Sequence, residues 1–287
     1  MNNDHPLAYE DDEFMESTEA RPIRILAEYL DPLRRFKAHN IQDTVVFFGS
    51  ARVLSRTLAQ RNLSRYEKSA IRDKADYKAT LKRRRKAVEW SRYYEDARAL
   101  AKRLTKWSMS LEGQRHRFVV CSGGGPGIME AANRGAREAG GKSIGLNIRL
   151  PFEQAPNRYI TPDLVFNFHY FFMRKFWFAY LAKALVIFPG GFGTCDELFE
   201  ILTLAQTDKL TKKIAVILYG SDYWDQVLSL KPMAEWGAIA EQDVQLLQHA
   251  DAPADAFEQL RDHLIAHHLE PETAQESEAP GIAKTRG

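Results

Sequence analysis

The run FPGGFGTCDELFE, Phe188 to Glu200, sets what looks like an anion cradle directly against two carboxylates. Gly190, Gly191 and Gly193 let the backbone come close to a ligand, and Thr194 adds a hydroxyl donor where a helical pattern begins. The unpaired N–H groups of a helix's first turn, with the positive end of its dipole, favour a phosphate there. Asp196 and Glu197 follow at once, where they would repel one. A second loop has the same grammar: Cys121-Ser122-Gly123-Gly124-Gly125-Pro126-Gly127 follows an apolar run and leads into IMEAANRGAREAG. Neither loop is followed by Gly-Lys-Ser/Thr, and neither has the G-x-G-x-x-G spacing of a dinucleotide fingerprint. The expected ligand is therefore smaller, of the size of a mononucleotide or sugar phosphate, and nothing in the sequence demands a metal or a cofactor.

Helix geometry separates the two acids. After Thr194, Leu198, Ile201, Leu202 and Ala205 recur at spacings of three and four, which predicts one buried stripe. Neighbouring helical residues differ by about 100° around the axis, so Asp196 and Glu197 cannot both face one ligand, and Asp196 is expected to be structural or capping. Cys195 sits at the helix start, where a thiol pKa falls, but no histidine is close to it in sequence. Phe171, Phe172, Phe176, Trp177 and Phe178 are expected in core and interface, and His263 and His267, spaced i, i+4 without a third ligand, on a surface helix.

These residues need a scaffold. Short apolar runs alternate with stretches of helical period, the pattern of an α/β protein with a parallel sheet covered by helices. Strands are predicted at Thr44 to Gly49, Phe118 to Ser122, Lys142 to Asn147, Leu164 to Phe168, Ala184 to Phe188 and Ile214 to Leu218. Both glycine loops fall at the carboxyl ends of strands, where ligands collect in open α/β sheets. Residues 53 to 95 interrupt the alternation with a basic segment that includes KRRRK, Lys82 to Lys86, and are read as a helical insertion after the first strand. Its charge is expected to be a solvated helix face, so no nucleic-acid partner is expected. Residues 1 to 20 and 270 to 287 read as disordered ends, and 21 to 269 as one domain. A content of 45% hydrophobic residues suffices for one large core, and the formal net charge of +2 argues for no particular partner. With two cysteines, no apolar run of membrane-spanning length and no basic-then-apolar leader, the expectation is a cytoplasmic protein with reduced thiols and no membrane partner.

Four elements in order, GSAR (Gly49 to Arg52), SGGGPGIMEAANRGA (Ser122 to Ala136), FHYFFMRK (Phe168 to Lys175) and PGGFGTCDE (Pro189 to Glu197), resemble the LONELY GUY (LOG) family over roughly residues 41 to 220. That family comprises cytokinin riboside monophosphate phosphoribohydrolases, long labelled lysine decarboxylases. The resemblance implies a Rossmann-like fold, a homodimer or higher homo-oligomer, and hydrolysis of the N-glycosidic bond of a nucleoside 5′-monophosphate such as AMP to free base and ribose 5-phosphate. Carried over by position, it makes Glu197 the catalytic carboxylate, Arg174 the catalytic arginine with Lys175 beside it, and Gly190, Gly191, Gly193 and Thr194 the phosphate loop. Gly123, Gly124 and Gly125 become the second glycine loop at the nucleotide. Phe171-Phe172 stand where plant members have Met-His, a difference that bears on the choice of base.

The resemblance answers the juxtaposition of cradle and acids. A nucleoside monophosphate carries its phosphate several ångströms from the scissile bond, so one loop can hold the phosphate while Glu197 reaches the ribose. Cleavage builds positive charge on the sugar, which a carboxylate stabilises. Arg174, always protonated at its usual pKa, is expected to hold the phosphate or to position Glu197. A competing reading from another class is a carrier: the same superfamily includes proteins that hold molybdenum cofactor. Decarboxylation would need a Schiff-base lysine, and neither Lys175 nor Lys183 has a supporting motif.

Overall fold

Continuous burial marks the central strands: every residue of Thr44–Phe48 (β1) and of Val119–Ser122 (β2) is buried, as both faces of a parallel sheet demand. The computed structural model describes residues 6–69, 76–150, 155–207 and 212–269. The other strands are Ser143–Ile148 (β3), Val165–Phe168 (β4), Ala182–Ile187 (β5), Ala215–Tyr219 (β6) and Leu247–Ala250 (β7). The described helices begin with Asp12–Glu16 (α1), Arg21–Ala38 (α2), Arg56–Ser69 (α3), Tyr77–Met109 (α4) and Ile128–Glu138 (α5). They continue with Phe171–Leu181 (α6), Phe192–Gln206 (α7), Ser221–Val227 (α8), Lys231–Glu235 (α9) and Pro253–His268 (α10).

The strands pair in the order β4-β3-β2-β1-β5-β6-β7, and every pairing is parallel. This is the Rossmann-like α/β architecture with helices inserted after the first strand. Alternate side chains of β1 serve opposite cores: Val46 and Phe48 join α2, α6 and α7, whereas Val45 and Phe47 join α4, α5 and α10. Because the chain builds outward from β1 to β4 and then returns to β5 on the other side, strand order reverses between β1 and β5. Open α/β sheets form their ligand crevice at that switch, beyond the carboxyl ends of the strands.

The seventh strand lies outside the six expected. β7 is a short edge strand with Gln248 and His249 exposed, so it lacks the apolar run of its neighbours. Residues 1–20, expected without order, contain α1. Asp11 accepts the Phe14 N–H as its cap, and Arg24 Nη1 donates to the carbonyls of Met15 and Ser17 at 2.5 and 2.8 Å. The tail 270–287 and residues 1–5 lie outside the described residues, as do residues 70–75 of the basic segment. The rest of that segment lies on α3 and α4, and α4 runs on without a break to Met109, where its buried Ala97, Leu100 and Leu104 cover the sheet. Lys82, Arg83, Arg85 and Lys86 are exposed, whereas Arg84 turns toward α3, 4.8 Å above the Tyr66 ring. No described helix is long and apolar enough to cross a membrane.

Two devices fix α6, the helix that carries Arg174 and Lys175. At its start, the Glu28 carboxylate of α2 accepts the N–H groups of the cap residue Tyr170 at 3.3 Å and of His169 before it at 2.6 Å, which fixes the entry of the chain into the helix. At its end, α6 passes directly into β5, and the half-buried Lys212 donates from its ammonium to the carbonyls of Ala179 and Tyr180 at 2.7 and 2.8 Å. Burial pushes Lys212 down to about 7.

Candidate active site

Three loops meet above the switch point. The Ser50 N–H, after β1, donates to the Pro189 carbonyl at 3.0 Å, and the Ile128 N–H, beyond the β2 loop, donates to the Ser50 carbonyl at 3.2 Å. The contact is too close for side chains: a Cβ at Gly127 would lie 2.3 Å from the Ser50 carbonyl oxygen. The two glycine loops singled out in the sequence are thereby tied to one another through the loop after β1.

In the loop after β5, α7 starts at Phe192 with Gly191 as its cap residue, and the N–H groups of Thr194 and Cys195 return to the Gly191 carbonyl at 2.9 and 3.0 Å. The N–H groups of Gly191, Phe192 and Gly193 have no backbone acceptor among the described residues. Nothing stands within 4 Å of a Cβ at Gly191 or Gly193, so this rim is open, while Gly190 lies packed against the Thr194 side chain. Thr194 is buried, and Phe192 is 98% exposed at the tip.

One turn further, Glu197 is 7% exposed while the Asp196 side chain is 58% exposed, so the helix turns its adjacent acids apart. Burial is the main cause that raises the Glu197 carboxyl to about 7; Lys175 and Arg174 pull it down, and Glu200 and Asp196 push it up. Arg174 Nε donates to the Leu146 carbonyl of β3 at 2.8 Å. Burial lowers the Arg174 pKa, and the Glu197 charge opposes that shift. No direct ion pair closes between Arg174 and Glu197 among the described residues, which leaves the guanidinium's Nη donors and the carboxylate for another group.

Lys175, grouped by the resemblance with the substrate-binding residues, is otherwise engaged: its ammonium bonds Asp196 at 2.8 Å and Glu200 at 2.6 Å, spanning the helix face beside Glu197. The Cys195 thiol is raised by burial, opposite to the fall expected from its place at a helix start. Both cysteines are free. Trp177 and Phe178 enter the core as expected, whereas Phe171 and Phe172 are 53% and 54% exposed. His263 and His268 both direct Nε2 to the Lys213 carbonyl, and no group of metal-ligating side chains occurs among the described residues.

The second glycine loop belongs to the same centre. A Cβ at Gly123 would meet Arg174 Nη2 at 2.5 Å and Met129 Sδ at 2.8 Å, so this glycine makes room for the guanidinium. Gly124, at φ +73, backs onto the Asn147 amide. Two asparagines that sequence reasoning missed, Asn157 and Asn133, hold this loop by hydrogen bonds. Asn157 Nδ2 donates to the carbonyls of Gly124 and Gly125 at 3.0 and 3.1 Å and to Asn133 Oδ1 at 2.9 Å. Ser122 Oγ–H donates to Asn133 Oδ1 at 2.7 Å and itself accepts the Gly124 N–H at 3.1 Å. Their surroundings in the sequence, QAPNRYI for Asn157 and EAANRGA for Asn133, carry no periodic signal for such a role.

Two predictions follow from this packing. Asn157→Ala takes the partner from the Gly125 carbonyl, while the Gly124 carbonyl keeps the residue 157 N–H at 2.8 Å, and is expected to cost about 1–3 kcal/mol, read as a lower midpoint in urea. Gly193→Ala meets no atom, so its melting temperature is expected to stay at the wild-type value while its affinity for AMP falls; unchanged affinity would show the glycine to serve the turn alone.

Comparison with known proteins came to the same family as the four motifs. The family model described as "Possible lysine decarboxylase" matches residues 129–260. A cytokinin riboside 5′-monophosphate phosphoribohydrolase of Oryza sativa subsp. japonica is 29% identical over 153 residues, 51% of this chain and 60% of that protein. A probable enzyme of the same description from the same plant is 27% identical, over 52% of this chain and 61% of its own length. One from Rhodococcoides fascians is 29% identical over 46% of this chain and 69% of its own length. The chain thus spans about three fifths of the length of the rice proteins. Among solved structures, a molybdenum cofactor carrier protein of Chlamydomonas reinhardtii aligns over 77% of this chain and 98% of its own, at 18% identity and a TM-score of 0.43. The matched span holds Arg174 and the whole PGGFGTCDE element, two of the four elements on which the similarity to the LOG family rests.

Proposed function

We propose that the chain hydrolyses the N-glycosidic bond of a nucleoside 5′-monophosphate, AMP or a cytokinin riboside monophosphate, to free base and ribose 5-phosphate, acting in the cytoplasm without metal or cofactor. The observation that carries this reading is Glu197: a buried carboxyl raised to about 7, one helical turn from open backbone N–H groups. Phosphate takes the N–H groups of Gly191, Phe192 and Gly193, with Thr194 and the Gly123 to Gly125 loop completing the nucleotide site. The ribose then lies toward Glu197, whose carboxylate stabilises the oxocarbenium-like charge and orients the attacking water. Arg174, with its Nη atoms uncommitted, binds the phosphate or a ribose hydroxyl and favours the ionised form of Glu197. Lys175 acts on the substrate only indirectly, through the Asp196 and Glu200 carboxylates that flank Glu197.

The deciding experiment incubates the protein with AMP and a panel of other nucleoside monophosphates, without added metal, and follows base and ribose 5-phosphate by chromatography. Base release supports the hydrolase. Tight nucleotide binding with no release from any member of the panel would instead make the protein a non-catalytic carrier. The exposed Phe171 and Phe172 at the start of α6 and Phe199 in the middle of α7 support a homodimer or higher homo-oligomer, which light scattering after size exclusion measures directly.

A further inference from the structure

Four carbonyls at the end of β5 and in the loop after it are tied off, three of them by groups outside the cradle. The Ile187 carbonyl accepts Trp224 Nε1–H at 3.1 Å, Pro189 accepts the Ser50 N–H at 3.0 Å, and Gly190 accepts the Tyr223 hydroxyl at 2.7 Å. Gly191 accepts the two N–H groups of the first α7 turn. A trans peptide directs its C=O and N–H in opposite senses, so holding a carbonyl fixes the direction of the next residue's N–H. Of these bonds, only the one from Tyr223 fixes the peptide between Gly190 and Gly191, whose N–H is the first donor of the open rim. Glycine on both sides gives that peptide the freedom to rotate, and so the need for a constraint.

We propose that Tyr223 is a positioning residue of the anion site: its hydroxyl orients the Gly190–Gly191 peptide so that the Gly191 N–H is presented to the phosphate. This rests on the reading of the loop as a phosphate cradle. Tyr223 comes from α8, after β6, and its ring is held from a third direction by Trp90 of α4, edge-on at 5.5 Å and 89°. Burial raises the Tyr223 pKa, which keeps the hydroxyl protonated as a donor. The helix that carries the basic segment therefore buttresses the cradle through one aromatic contact. The neighbouring Arg92–Asp222 pair at 3.3 Å also joins α4 to α8, but its side chains are 43% and 83% exposed and it contributes little.

Tyr223→Phe removes the hydroxyl and keeps the ring. Calorimetry with inorganic phosphate, ribose 5-phosphate and AMP is expected to show about tenfold weaker binding in the variant, with adenosine unaffected and the melting temperature within about 2 °C of wild type. In turnover, KM for AMP rises with kcat within roughly twofold, the signature of lost ground-state binding. Trp90→Leu, which loosens the ring, is expected to fall between variant and wild type, and Asp222→Asn to match wild type. Equal phosphate affinity in Tyr223→Phe, or a fall in kcat at unchanged KM, overturns the proposal. If wild type binds AMP without releasing base and Tyr223→Phe still weakens phosphate binding, the hydrolase reading fails and the positioning role stands. Wild type that binds neither phosphate nor AMP overturns both.

Discussion

Glu197→Gln is expected to reduce base release from AMP by about 10² to 10⁴ and, at pH 8, to raise the melting temperature. The two effects have one origin. The carboxyl titrates near 4.5 when unfolded and at about 7 in the folded protein, chiefly because it is buried. A folded-state pKa above the unfolded one contributes stability that is complete below pH 4.5 and is lost as pH rises through 7. Above that range the folded protein carries a buried anion that the unfolded chain would solvate, a destabilisation of up to roughly 3 kcal/mol. Glutamine keeps the shape and never ionises, so the variant should gain on wild type between pH 5 and 8 and show no such gain at pH 4. Equal melting curves at pH 5 and pH 8 would mean that Glu197 is not held in this destabilised state. In turnover, the ionised carboxylate is the working form, so kcat/KM of wild type is expected to rise with pH through an apparent pKa near 7.

Arg174→Met is the second large effect. Removing the cation takes away both a charged donor and one of the two groups that favour the Glu197 carboxylate. A loss of about 10² to 10³ in kcat/KM at pH 7 is expected, the usual cost of one preorganised electrostatic partner. The direction of the pH shift is diagnostic: without Arg174 the Glu197 pKa goes up further, and the rising limb of kcat/KM moves to higher pH. Arg174→Lys restores the charge but cannot reproduce the Nε bond to Leu146 together with free Nη donors, so it should return the limb toward its wild-type position while recovering little of the rate. Gly123→Ala approaches the same site from the opposite loop. Its Cβ displaces the guanidinium, and a misplacement on the order of 1 Å can cost about 10² in rate.

The five inner strands were legible because a parallel strand buried on both faces reads as an apolar run ended by Gly, Pro or Asp, and the edge strand β4 was legible from Leu164, Val165, Phe166 and Phe168 around one exposed Asn167. β7 was not, since an edge strand of four residues with two exposed polar side chains carries no such run. The separation of Asp196 from Glu197 was legible from helix geometry alone. The environment that sets the Glu197 pKa was not, because the burial that raises it exists only in the packed fold and the cations that oppose it come from α6, some twenty residues upstream. Lys175 shows the same limit: adjacency to Arg174 suggested a shared role, but successive positions on a helix point apart, and its ammonium lands on Asp196 and Glu200. Asn157, Asn133 and Tyr223 act through long-range bonds to backbone or amide oxygens, for which sequence spacing offers no periodic signal.

The strand order also dictates when the site can exist. β1 has β2 on one side and β5 on the other, and the β1–β5 register joins Thr44 to Ala182, 138 positions later. A chain emerging from synthesis can pair β1, β2, β3 and β4 and shape the SGGGPG turn while one edge of β1 remains bare. Closing that edge requires a contact of high sequence separation, the slow kind in folding, and until then an apolar strand is open to other chains. The strand that closes the edge is the one that delivers PGGFGTCDE. Closing the β1 edge and assembling the candidate catalytic centre are therefore a single late event, so a folding defect in this half of the chain would appear as lost activity and aggregation together.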